Sequence, residues 1–88
     1  MRSYKTLAKG FLMEYTNSLR KTRALTQEEM AEHLHITSRA YGDLERGKYC
    51  FSAVTLLFLF LMLGGDELKS ILEEFRKRVY ALEHEDAA

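Results

Sequence analysis

The sequence predicts an all-α fold of five helices with extended first and last members, and three observations carry the prediction. The 88 residues contain no proline and five glycines, so little interrupts a long helix or supports the tight turns of a sheet. Apolar residues recur at spacings of three and four rather than two. Thr26, Thr37 and Ser52 each head a short apolar stretch, where a hydroxyl can cap the first turn of a helix.

Tyr4, Leu7, Ala8, Phe11, Leu12, Tyr15 and Leu19 share one face of a first helix spanning about residues 3–21, with Gly10 its weak point. Thr26-Gln27-Glu28-Glu29 has capping-box spacing: the threonine oxygen accepts from the Glu29 amide while the Glu29 carboxylate reaches back. Leu25 and Met30 supply the matching hydrophobic staple, so a second helix starts there and runs to about Leu34. Thr37 caps a third helix over residues 38–46, stopped by Gly47. Ser52 caps a fourth, apolar on every side, which neighbouring helices or another subunit must cover. The last helix, about residues 67–83, sets Leu68, Leu72, Phe75, Val79 and Leu82 in a heptad seam, widened by Ile71 and Tyr80. That stripe either packs on the first and fourth helices or forms a dimer seam. The terminal HEDAA is expected to fray.

A hydrophobic content of 47% with 30% charged residues is too apolar for a disordered tail and suits one domain over residues 1–88 around a single core. The apolar run at 54–63 is about half the roughly 20 residues a membrane-spanning helix needs, and it is bounded by capping residues, so it reads as a buried helix. Residues 1–10 mix Arg2, Lys5 and Lys9 with polar groups and do not form a signal peptide. Cys50, the single cysteine, has no internal disulfide partner, which points to a reducing cytoplasm. The formal net charge is zero, yet residues 1–48 hold nine Lys/Arg against six Asp/Glu, and residues 49–88 four against seven. The front half is the one that can meet an anion.

Two short helices joined by a tight turn, preceded by a longer helix, form a helix-turn-helix arrangement. A steep crossing requires burial of Met30, Leu34, Ile36, Tyr41 and Leu44, with the small Ala31 where the backbones touch. From Leu19 to Gly64 the chain resembles the lambda repressor and Cro-like (XRE-type) helix-turn-helix family. That family's L-R-x-x-R-x-L-T-Q-E-E-x-A, its capped helix ending L-E-R-G-K and its hydrophobic helix ending L-G are met by LRKTRALTQEEMAEHL, DLERGK and MLGG in order. The resemblance implies a lambda-repressor-like DNA-binding domain with its helix-turn-helix core at about 16–65 and residues 66–85 for packing or dimerisation. It places the third helix in the major groove, usually as a dimer on a two-fold related site.

Within that frame Ser38, Arg39 and Asp43 are the candidates to touch bases. Arg39 is the strongest, because a guanidinium can bond guanine O6 and N7 together. Asp43 can accept from cytosine N4 or can simply be a solvated residue of the helix face. Gln27, at the positive end of the second helix, is placed to grip a phosphate. Thr37, Lys21, Arg23, Arg46 and Lys48 complete the phosphate-contact candidates. The resemblance makes Arg20 and Glu45 a structural ion pair between the first and third helices.

Several residues depart from the family pattern. His35 stands where glycine is usual and must accept a left-handed backbone at a cost of about 1 kcal/mol. His33 and His35 lack a third ligand, so no metal is expected. Tyr41 replaces an aliphatic residue and is taken as core with its hydroxyl at the rim. Gly42 weakens its helix but lets DNA approach the backbone closely. Tyr49, Cys50 and Phe51 form an apolar knob that packs on the bundle or a partner, and Phe58, Phe60 and Met62 are core or interface.

No phosphate loop, nucleophile elbow or cysteine–base pair is present in the sequence, so neither an enzyme nor a cofactor is expected. The expectation is a cytoplasmic, sequence-specific DNA-binding transcriptional regulator that binds double-stranded DNA as a homodimer through its fourth and fifth helices, without membrane contact. It would be controlled through dimerisation or by a protein regulator. The alternative is a helical protein-interaction or antitoxin-like module of the same fold with weak or no DNA binding.

Overall fold

A computed structural model describes residues 3–85 and contains five helices: α1 (Tyr4–Thr22), α2 (Gln27–Leu34), α3 (Ser38–Glu45), α4 (Ala53–Leu61) and α5 (Gly65–His84). Among the described residues there is no strand, and the fold is all-α. Each of the first four helices begins at a hydroxyl cap: Ser3, Thr26, Thr37 and Ser52 accept from the amides of Thr6, Glu29, Ala40 and Thr55 at 3.0–3.2 Å. The Thr26–Glu29 capping box closes in both directions, the Glu29 carboxylate accepting from the Thr26 amide at 2.9 Å. At the head of α5 glycine supplies no cap, and the Glu67 carboxylate accepts from the Gly64 amide at 3.0 Å instead. This starts α5 two residues before the sequence pattern suggests. α5 runs through His84, and the rest of the expected fraying, at residues 86–88, lies outside the described residues.

Helices α1, α2 and α3 end alike. After each, two successive amides reach back to carbonyls inside the helix: Ala24 to Lys21 and Leu25 to Arg20, His35 to Glu32 and Ile36 to Ala31, Gly47 to Leu44 and Lys48 to Asp43, at 2.9–3.1 Å. The closure requires a left-handed residue, filled by Ala24 (φ 54°), His35 (φ 59°) and Gly47 (φ 77°). Glycine takes this conformation at position 47 without strain, and a Cβ there would also have to displace the flexible Met13 side chain of α1.

Leu19, Met30, Ala31, Leu34, Tyr41 and Leu59 form the buried core, with Leu12, Tyr15, Leu25, Ile36 and Phe51 packed around it. Thr16, fully buried in α1, satisfies its hydroxyl by donating to the Leu12 carbonyl at 2.8 Å. Tyr41 corrects the sequence expectation. Its hydroxyl is enclosed rather than at the rim, and it makes no hydrogen bond of good geometry although Glu45 and Thr16 lie near. Burial therefore pushes its phenol well above the ordinary tyrosine value.

The α5 stripe is also rotated relative to the heptad expectation. Ile71 is the deepest residue of the helix at 3% exposure, while Leu72 is 53% exposed. Leu68, Ile71, Phe75, Val79 and Leu82 form the inner face, and the Phe75 ring lies 5.3 Å from that of Phe11 on α1. Arg78 and Glu14 pair beside this contact at 3.1 Å, and the Tyr4 hydroxyl donates to Glu83 at 2.9 Å. α4 packs on α2 but remains uncovered on one side, leaving Val54, Leu57 and Leu61 at 64%, 62% and 79% exposure.

Candidate nucleic-acid interface

Helices α2 and α3 meet through Ala31 and the buried Met30, Leu34 and Tyr41, and this contact leaves the N-terminal turn of α3 on the surface. Thr37, Ser38 and Arg39 are all exposed there. The Thr37 oxygen accepts from the Ala40 amide at 3.0 Å, so its side chain holds the first turn of α3.

The orientation of α3 is fixed by a polar chain running across three helices. Arg20 of α1 grips the Glu45 carboxylate with Nε at 3.0 Å and Nη2 at 2.9 Å, and its Nη1 donates to the Leu25 carbonyl at 3.1 Å. Gln27, the first residue of α2, donates to the same carboxylate at 3.3 Å. Burial raises the Glu45 pKa, and the hydrogen bonds from Arg20, with Gln27 assisting, more than reverse this, leaving it below the ordinary carboxylate value. One acid thus ties the start of α2 and the end of α3 to α1.

A sequence model of the helix-turn-helix family matches residues 18–69, more than half of the chain and the stretch that contains this site. The chain belongs to the lambda repressor/Cro-like (XRE-type) helix-turn-helix family. No curated protein and no solved structure matches it at a significant level. As a member of this family it is a DNA-binding regulator of the helix-turn-helix type.

Around this XRE-type core the remaining candidates separate. Lys21 is exposed and makes none of the ion pairs among the described residues. Lys48 is exposed, with its ammonium 5.4 Å from the centre of the Tyr49 ring, while its amide closes the end of α3 on the Asp43 carbonyl. Arg23 is exposed but already engaged within the protein. Its Nη1 donates to the Met62 carbonyl at 2.7 Å and its Nη2 to both Glu67 oxygens at 2.9 and 3.1 Å, so it closes the end of α4 and pins α5. Asp43 is not an open carboxylate either: it is 8% exposed and ion-paired with Arg46, which folds back over it from the end of α3. Arg46 in turn is no isolated cation.

Sequence pattern alone does not announce the first of these roles. The Arg23 contact joins residues 39 and 44 positions apart in the chain and has no local signature. The Asp43–Arg46 pair does have one, an acid three residues before an arginine on a helix. His35 adopts the left-handed conformation expected of it, and its ring lies 4.1 Å from that of Phe58, a contact the sequence does not suggest. Among the described residues, no helix is long and apolar enough to cross a membrane, and no group of three or more His, Cys, Asp or Glu could hold a metal.

Proposed function

We propose that this chain is a cytoplasmic transcriptional regulator that reads duplex DNA sequence-specifically with the N-terminal turn of α3, acting as a homodimer and without an enzymatic step. The observation that carries the reading is the exposure of Ser38 and Arg39 on a helix whose other side is locked into the core by Tyr41 and Leu44. In the major groove Arg39 would take the two acceptors of a guanine and Ser38 an adjacent base edge. Gln27, Thr37, Lys21 and Lys48 would meet the phosphates, with Gln27 already steadied by Glu45. Because the chain has zero formal net charge, non-specific binding is expected to be modest and steeply salt-dependent.

Support for the homodimer comes from α4 and α5. Val54, Leu57 and Leu61 lie on one side of α4 with their side chains in solvent, and Leu72 and Tyr80 are exposed on α5. Two copies related by a two-fold axis would cover such a surface. The same stripe favours the second reading, a protein-interaction module that keeps the fold without reading DNA, and it offers a surface for a protein regulator.

Selection from random duplexes at low salt separates the two. An enriched two-fold motif that loses one base preference per half-site in Arg39→Ala supports DNA reading. No enrichment by a folded dimer hands the case to the interaction module. Sedimentation at micromolar concentration that shows only a 10.3 kDa species would remove the dimer.

A further inference from the structure

Residues 39, 42, 43 and 46 recur at helical spacing along one face of α3 and its cap, and the middle two are buried while both arginines are exposed. Arg46 itself accounts for part of this burial. Its side chain, 67% exposed, runs back one turn toward the start of the helix, donates from Nη2 to the Asp43 carboxylate, and lays its guanidinium against Gly42. A Cβ at position 42 would stand 3.2 Å from Nη1, 3.9 Å from Cζ and 4.0 Å from Nη2, so only glycine leaves the guanidinium this seat undisturbed.

We propose that Arg46 is a second base-reading group, directed at a guanine edge in the major groove, and that Asp43 is its positioning residue and Gly42 its seat. The proposal rests on the DNA-reading function above. A guanidinium carries five N–H donors, and Asp43 occupies one of them, leaving others to meet paired acceptors such as guanine O6 and N7. Holding the side chain before DNA arrives removes part of the entropy a free arginine loses on binding. The Asp43 charge cancels that of Arg46 toward distant phosphates, so the pair adds little to salt-dependent, sequence-independent attraction. A lone arginine at this position would be a phosphate contact, and the aspartate beneath it argues for a base.

The test compares the full chain with Arg46→Ala, Asp43→Asn and Gly42→Ala, each checked for helical content, in selections from random duplexes and in affinity measured against salt. The wild type is expected to enrich a motif containing a guanine position that Arg46→Ala loses, preference there falling on the order of 5- to 150-fold with little change in salt slope. Asp43→Asn should weaken preference at that same position while affinity for unrelated DNA rises, a combination that a purely structural role would not give. Gly42→Ala, which favours helix, should also blur that position by displacing the guanidinium. Uniform weakening by Arg46→Ala across all sequences, with a salt slope lower by about one, would make it a phosphate clamp and overturn the proposal. An unchanged preference in Asp43→Asn would overturn the positioning role. Failure of the wild type to enrich any motif would refute DNA reading itself, and this proposal with it. A wild-type motif that all three variants retain would refute this proposal alone.

Discussion

Arg20 and Glu45 clamp α1 to α3 through two hydrogen bonds, of 3.0 and 2.9 Å, with both side chains largely withdrawn from solvent. Removing one partner leaves the other charge partly buried and unpaired, the expensive half of any such interaction. Arg20→Ala and Glu45→Ala should each destabilise the fold by about 2–3 kcal/mol in urea unfolding. The double variant should fall well short of the sum, because the second deletion removes the stranded charge.

The same carboxylate gives stability an acid limb. The folded-state pKa of Glu45 lies below its unfolded value, so its contribution is complete above the ordinary carboxylate range near 4.3 and is lost as pH falls through the folded value. Glu29 and Glu67 shift in the same direction, through hydrogen bonds from the Thr26 and Gly64 amides, but they are exposed and add little. Unfolding free energy measured between pH 3 and 7 should decline below about pH 4.5, and the decline should be shallower in Glu45→Gln.

Lys21 and Arg23 are two residues apart and have different duties. Arg23→Ala should cost about 1 kcal/mol of stability, through the Met62 carbonyl and Glu67, and leave the salt slope of DNA binding unchanged. Lys21→Ala should leave stability unchanged and lower that slope by about one. Thermal melts and salt-dependent binding on the two variants check both statements.

His35 combines a cost with a contact. His35→Gly relieves the left-handed backbone but gives up the Phe58 ring, whereas His35→Ala gives up the ring and keeps the strain. Chemical denaturation should therefore find the glycine variant more stable than the alanine variant by about 1 kcal/mol.

Most of the fold was legible because its signals are local. Hydroxyl caps at Thr26, Thr37 and Ser52, the Glu29 capping box and the three-and-four spacing of core residues each depend on neighbours a turn away. What escaped depends on distance or rotation. Ala24 takes a left-handed position without the glycine that would advertise it, and Arg23 reaches residues about 40 positions away. The inner face of α5 turned from Leu72 to Ile71 because it packs against α1 in a globular contact rather than along a coiled-coil seam. At the site, helical spacing put Asp43 on the α3 face turned away from Tyr41 and Leu44, but the acid is buried there, and only the fold-back of Arg46 shows what pairs with it.

The most direct test of DNA reading by α3 is an NMR titration of the isotope-labelled chain with a duplex at low salt, followed through its backbone amides. The account predicts shifts concentrated at Gln27 and from Thr37 through Asp43, with the outer face of α5 silent. Shifts confined to α4 and α5, or none at a tenfold excess of duplex, would contradict it.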